Sequence, residues 1–122
     1  MSYRIYPSSD GKYIIQEVEG DYYRKRALEL NIEAHAIARG LGINRFLVDL
    51  TQARNVDSIY ESYEFSYEDM QIEEIDQSAR VAVLVDIDDN SHDFIETVSR
   101  NAGSDVTLFR DVEKARQHLL AD

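Results

Sequence analysis

The sequence predicts an α/β domain: a mixed β-sheet that opens with a hairpin and continues as alternating helices and strands. Three observations carry this. Two short apolar runs, residues 3–6 and 13–18, flank Ser8-Ser9-Asp10-Gly11, a tight-turn signal. Further along, apolar residues recur at helical spacing in one stretch and form compact runs in the next, the pattern of an α/β layer architecture. Residues 80–87 (RVAVLVDI) are nearly all apolar, as in a strand covered on both faces.

Each element has its own local reason. Asp21 is placed to cap a helix over residues 22–39, in which Ala27, Leu30, Ala34, Ile37 and Leu41 form one apolar stripe; Gly40 is placed as its C-cap. Residues 45–50 (RFLVDL) read as a buried strand, followed by a polar loop over 51–56. A second helix is expected over 58–75. Ser58-Ile59-Tyr60-Glu61 has the capping-box form, with Asp57 as a competing cap. After the strand at 80–87, Asn90 or Ser91 caps a helix carrying Phe94, Ile95, Val98 and Ala102 that stops at Gly103. Residues 106–109 give the last strand. Asp111 caps a final helix with Val112, Ala115 and Leu119 on one side.

Composition narrows the function classes. A length of 122 residues suits one domain with an ordinary core. The absence of cysteine excludes disulfides, thiolate zinc sites and a cysteine nucleophile, and it fits a reducing, cytoplasmic setting. No apolar stretch approaches the roughly 18 residues of a membrane span, and residues 1–13 lack the apolar centre of a signal peptide. Acidic residues outnumber basic ones 24 to 13, for a formal charge of −11, which argues against nucleic acid and anionic lipid surfaces as partners.

The segment VDLTQARNVDS (residues 48–58) resembles the central signature of the STAS superfamily, which includes the anti-sigma-factor antagonists. In that signature a strand ends in an Asp-Leu-Ser/Thr-like step, here at Asp49, and an Asp-Ser pair, here Asp57-Ser58, opens the next helix. VTLFRDVEKARQHLL (residues 106–120) is similar to the family's final strand and helix. SHDFIETVSRNAG (residues 91–103) is similar to the uncharacterised SpoIIAA-like branch, sometimes grouped with CRAL-TRIO lipid-binding folds. The resemblance implies a SpoIIAA-like fold and a non-enzymatic regulatory role. Its partner would be a kinase or an anti-sigma-like regulator, and Ser58 would be the residue phosphorylated to control docking. Ile59-Tyr60-Glu61-Ser62-Tyr63 departs from the family, whose antagonists carry a small, Gly-containing stretch there.

The candidate residues have alternative readings. Ser58 is either a capping serine or a phosphosite. A phosphate there would face Asp57, Glu61 and Glu64, so it would sooner break a docked complex than stabilise a new one. Thr51, Arg54 and Asn55, in the loop before Ser58, read as turn residues or as a small anion site. Tyr60, Tyr63, Tyr67 and Met70 share a helix face, which either packs on the sheet or a dimer partner or walls an apolar pocket for a small molecule or lipid. Asp86, Asp88, Asp89, Asn90, His92 and Asp93 form an acidic cluster at a strand's C-terminal end, where open α/β sheets bind ligands. Its match to a calcium loop is partial: Ser91 replaces the expected Gly and Thr97 the expected Glu. His92 is a candidate acid or base, but no nucleophile accompanies it. His35, His92 and His118 all read as surface histidines. No glycine-rich phosphate loop occurs, and no metal or cofactor is implied. Homodimerisation fits every one of these readings.

Overall fold

The computed structural model describes residues 2–121. It is an α/β fold with a five-stranded mixed sheet and four helices. Strands β1 (Ser2–Pro7) and β2 (Ile14–Tyr22) form the opening hairpin, and β3 (Arg45–Asn55), β4 (Arg80–Leu84) and β5 (Asp105–Phe109) follow in chain order across the sheet. β1 and β2 are antiparallel, and every later pair is parallel. Helices α1 (Arg24–Leu41), α2 (Ile59–Glu64) and α3 (Phe94–Asn101) link the parallel strands, and α4 (Val112–Leu120) ends the fold.

The two faces of the sheet are covered unequally. On one face, Val18, Val48, Leu50, Val83 and Val106 pack with Ala27 and Leu30 of α1 and with Phe65. On the other, Leu47, Ala82 and Leu84 pack under Ala115 and Leu119 of α4. β4 therefore contributes alternate residues to two cores, which explains its near-continuous apolar sequence.

Several boundaries differ from expectation, each through pairing or packing. β2 runs on to Tyr22, so Asp21 is a strand residue rather than a cap; Tyr23 takes the N-cap position of α1 without a side-chain bond. The extension is held by residues 52–55 of β3, which are strand and not loop. The register passes from Glu17↔Asp49 to Glu19↔Gln52, so β3 contains one extra residue. That bulge lets both Leu50 and Ala53 face the same core. α1 ends at Gly42, in the left-handed region at φ 69°, while Gly40 lies inside the helix. Leu41, expected on the buried stripe, is 55% exposed.

The second helix stops far short of residue 75. After Glu64 it widens into a π-turn, Phe65–Asp69, and the chain then runs irregularly to β4. Tertiary bonds hold this stretch: Arg39 donates to the Glu74 carbonyl at 2.8 Å, Gln77 to that of Met70, and the Asp76 N–H donates to His35 Nδ1 at 3.0 Å. Arg24, at the start of α1, grips Asp69 with two hydrogen bonds of 2.5 and 2.8 Å. No helix among the described residues is long and apolar enough to cross a membrane.

Candidate functional site

The parallel strands all point their C-terminal ends to one rim of the sheet, and the start of α2 lies there. Ser58 caps this helix. Its Oγ accepts from the Glu61 N–H at 3.2 Å, and the Glu61 carboxylate accepts in return from the Ser58 N–H at 3.2 Å. The Ser58 hydroxyl also donates to that carboxylate, at 3.1 Å, and the residue stays exposed. Both bonds of the expected capping box are thus present, with Ser58 rather than Asp57 as the cap. Asp57 is partly buried, and burial raises its carboxyl above the usual range, with Glu61 adding to the rise.

Asn55 and the acidic loop fix this junction. The Asn55 side chain accepts from the Asp57 N–H at 3.0 Å and donates to the Ser91 carbonyl at 2.9 Å, while the Asn55 N–H donates to Ser91 Oγ at 3.0 Å. Asp89 accepts from the Ser91 N–H at 2.8 Å and lies 3.7 Å from Arg54. Burial pushes the Asp89 carboxyl up, but the bonds from Ser91, with His92 and Arg54, outweigh it and hold the carboxyl low. Arg110 ties in the same loop through the Asp89 carbonyl at 3.0 Å and Asp93 at 2.9 Å. The acidic run is therefore a cross-braced connection, and among the described residues no cluster of His, Asp and Glu is arranged to hold a metal.

The suggested anion site does not assemble. Thr51 lies within β3 and bonds to the Asp49 carboxylate through its N–H at 3.0 Å and its hydroxyl at 2.7 Å. Arg54 points to Asp89, and the Asn55 amide is committed to Asp57 and Ser91. Asp49 does not close its strand. It is the last β3 residue paired to β4, and β3 continues six residues further along β2.

None of the three histidines is a surface residue. His92 is 2% exposed, and its Nε2 lies 3.0 Å from the Ala53 carbonyl, which can only accept, so Nε2 carries the proton. That nitrogen is engaged by the main chain and also lies 3.5 Å from the Asp89 carboxylate. His35 is buried and stacks on Phe46 at a ring distance of 4.3 Å; His118 is half-buried against Phe109. An imidazole packs readily on an aromatic or aliphatic neighbour once one nitrogen has a partner, and the α1 spacing sets His35 beside Ala34 and Ala38.

Tyr60, Tyr63 and Tyr67 turn outward. Tyr60 is 70% exposed, and Tyr63 and Tyr67 stack on each other at 4.3 Å. The π-turn presents Phe65 and Ser66 to the interior instead. Val56, two residues before Ser58, is also exposed, as are Ile87 and Phe94.

Gln16, the least expected residue, lies elsewhere, in the middle of β2 and facing the core. Its signal was present in the sequence, since it takes an inward position between Ile14 and Val18 in an alternating strand. Comparisons with known protein families, with curated proteins and with solved structures returned no match.

Proposed function

We propose that this chain is a STAS-like, non-enzymatic regulatory interaction domain that docks a protein partner through the rim around Ser58. The observation that carries this is the exposed Ser58 hydroxyl at a rigidly braced helix start, next to unburied Val56, Tyr60 and Tyr63. The mixed sheet with strands in chain order, and Asp57-Ser58 opening a helix, support kinship with the anti-sigma-factor antagonists; Asp49 within its strand departs from them. A non-enzymatic role is supported by His92, whose Nε2 is engaged by the main chain in a buried setting.

Phosphorylation is the proposed switch. A phosphorylated Ser58 loses the proton it donates to Glu61 and gains a charge of about −1.5 to −2 beside Asp57, Glu61 and Glu64. Repulsion then loosens the helix start and the docked complex together. The test is incubation with extract of the source cells and ATP, followed by intact mass and peptide mapping. Modification at Ser58, and loss of a partner on Ser58→Asp, are expected. An unmodified Ser58 together with a Ser58→Asp variant that keeps every partner removes the switch.

A further inference from the structure

Beneath α1, the π-turn and α3, the helical layer and the sheet leave a cavity of about 60 Å³. Much of its wall is apolar, from Phe46, Val48, Leu50, Phe65, Val83 and Val106. Its polar lining includes Gln16, Tyr22, His35, Ser66 and Ser99. No acidic residue, lysine or arginine lines it among the described residues, and none of Arg54, Asp57, Ser58 and Tyr60 does.

Gln16 is the informative group. It is 1% exposed, and neither its amide oxygen nor its amide nitrogen has a hydrogen-bond partner. An amide offers two donors and a carbonyl acceptor, and leaving these unpaired in an apolar interior weakens the fold. Leucine or methionine at this inward position would extend the core at no such cost. Nearby, the Ser66 and Ser99 hydroxyls meet at only 3.4 Å, a weak mutual bond that leaves both able to turn to another partner. Ser66 is brought inward by the π-turn, a helix irregularity found often at functional sites. His35 is neutral around pH 7, its ring pushed down to about 4 mainly by burial, so the whole lining is uncharged.

We propose that this cavity binds a small neutral molecule of the carboxamide class, held by amide-to-amide pairing with Gln16. The chemistry follows from the orphans. A ligand that satisfies both must present an acceptor and a donor side by side, without charge, with a small apolar remainder for the wall. Size sets the scale, because an apolar cavity of ~150 Å³ takes benzene; about 60 Å³ suits a ligand of roughly two to four non-hydrogen atoms. Two ordered waters of ~30 Å³ each are the competing occupant.

Acetamide is the probe. A ligand of about four non-hydrogen atoms binds no tighter than tens of micromolar, so the titration extends into the millimolar range. With the ¹⁵N-labelled full chain, acetamide should shift the Gln16 side-chain amide and the Ser66 and Ser99 amides saturably. Gln16→Leu should stay folded, melt higher than wild type and lose the saturable shift; Ser99→Ala should weaken it several-fold. A wild-type Gln16 amide that does not respond overturns the proposal, as does equal acetamide affinity in Gln16→Leu. Water-to-Gln16 cross-relaxation that persists unchanged at saturating acetamide does the same, since it assigns the cavity to water.

Discussion

Acidification should destabilise this fold through His35, well above the pH at which most carboxylates protonate. The ring is 6% exposed, and burial, helped by Arg39 and opposed by Asp76, pushes it from 6.5 to about 4. The folded state therefore binds fewer protons than the unfolded chain between those values. Stability from this group is complete above pH 6.5 and is lost as pH falls toward about 4. At ~1.4 kcal/mol per pH unit, the interval from 6.5 to about 4 corresponds to about 3 kcal/mol. The structural event is specific: protonated His35 can no longer accept from the Asp76 N–H. His35→Gln keeps an acceptor but does not titrate. Urea unfolding of both proteins through this pH range is the assay. Asp76 and Asp89, both held low, lose their contributions only below the ordinary 3.8, whereas Asp57, held high, acts in the opposite sense. The wild-type minus variant difference removes Asp57 and Asp89, while Asp76, which is coupled to His35, titrates below this interval. It should shrink by about 3 kcal/mol on going from pH 6.5 to about 4. Parallel curves for the two proteins would refute the reasoning, and so would a His35 imidazole that titrates near 6.5 by NMR.

Three further outcomes test local features. Gly40→Ala should stabilise by about 0.5–1 kcal/mol, being inside a helix with open space for a Cβ, whereas Gly42→Ala at positive φ should cost about 1 kcal/mol; thermal melts of the pair decide where α1 ends. Ser58→Ala should lower stability by about 1 kcal/mol and the melting temperature by about 4 °C; Ser58→Asp keeps a capping acceptor but loses the hydroxyl bond to Glu61 and sets a carboxylate beside it, so its stability should fall between those of wild type and Ser58→Ala. Arg24→Lys cannot reproduce the two-pronged grip on Asp69, so hydrogen exchange should quicken over residues 65–70 and stay unchanged in β3 and β4.

Local signals were legible in the sequence, and long-range ones were not. The hairpin turn is visible because Ser8 and Asp10 make its bonds within four residues. Asp111 caps α4 by accepting from Glu113 and Lys114, and Ser58 with Glu61 closes the capping box, both within three residues. The extension of β3 past Leu50 was hidden because a bulge breaks its alternation and because β2, distant in sequence, pairs with it. The end of α2 was hidden because no glycine or proline marks it; side chains from α1 and the following segment hold the chain there. Among the candidate site residues, Asp57 and Ser58 lie at the expected helix start. Thr51, Arg54 and Asn55 diverge because successive strand residues point to opposite sides. Gln16 was readable as a polar residue at an inward position, but its unpaired amide depends on neighbours distant in sequence.

Peptide mapping after exposure to source-cell extract and ATP tests the regulatory account most directly. It predicts one added phosphoryl group, on Ser58, and release of a partner that the unmodified protein holds. A protein that returns unmodified, and whose Ser58→Asp form binds the same partners as wild type, would contradict it.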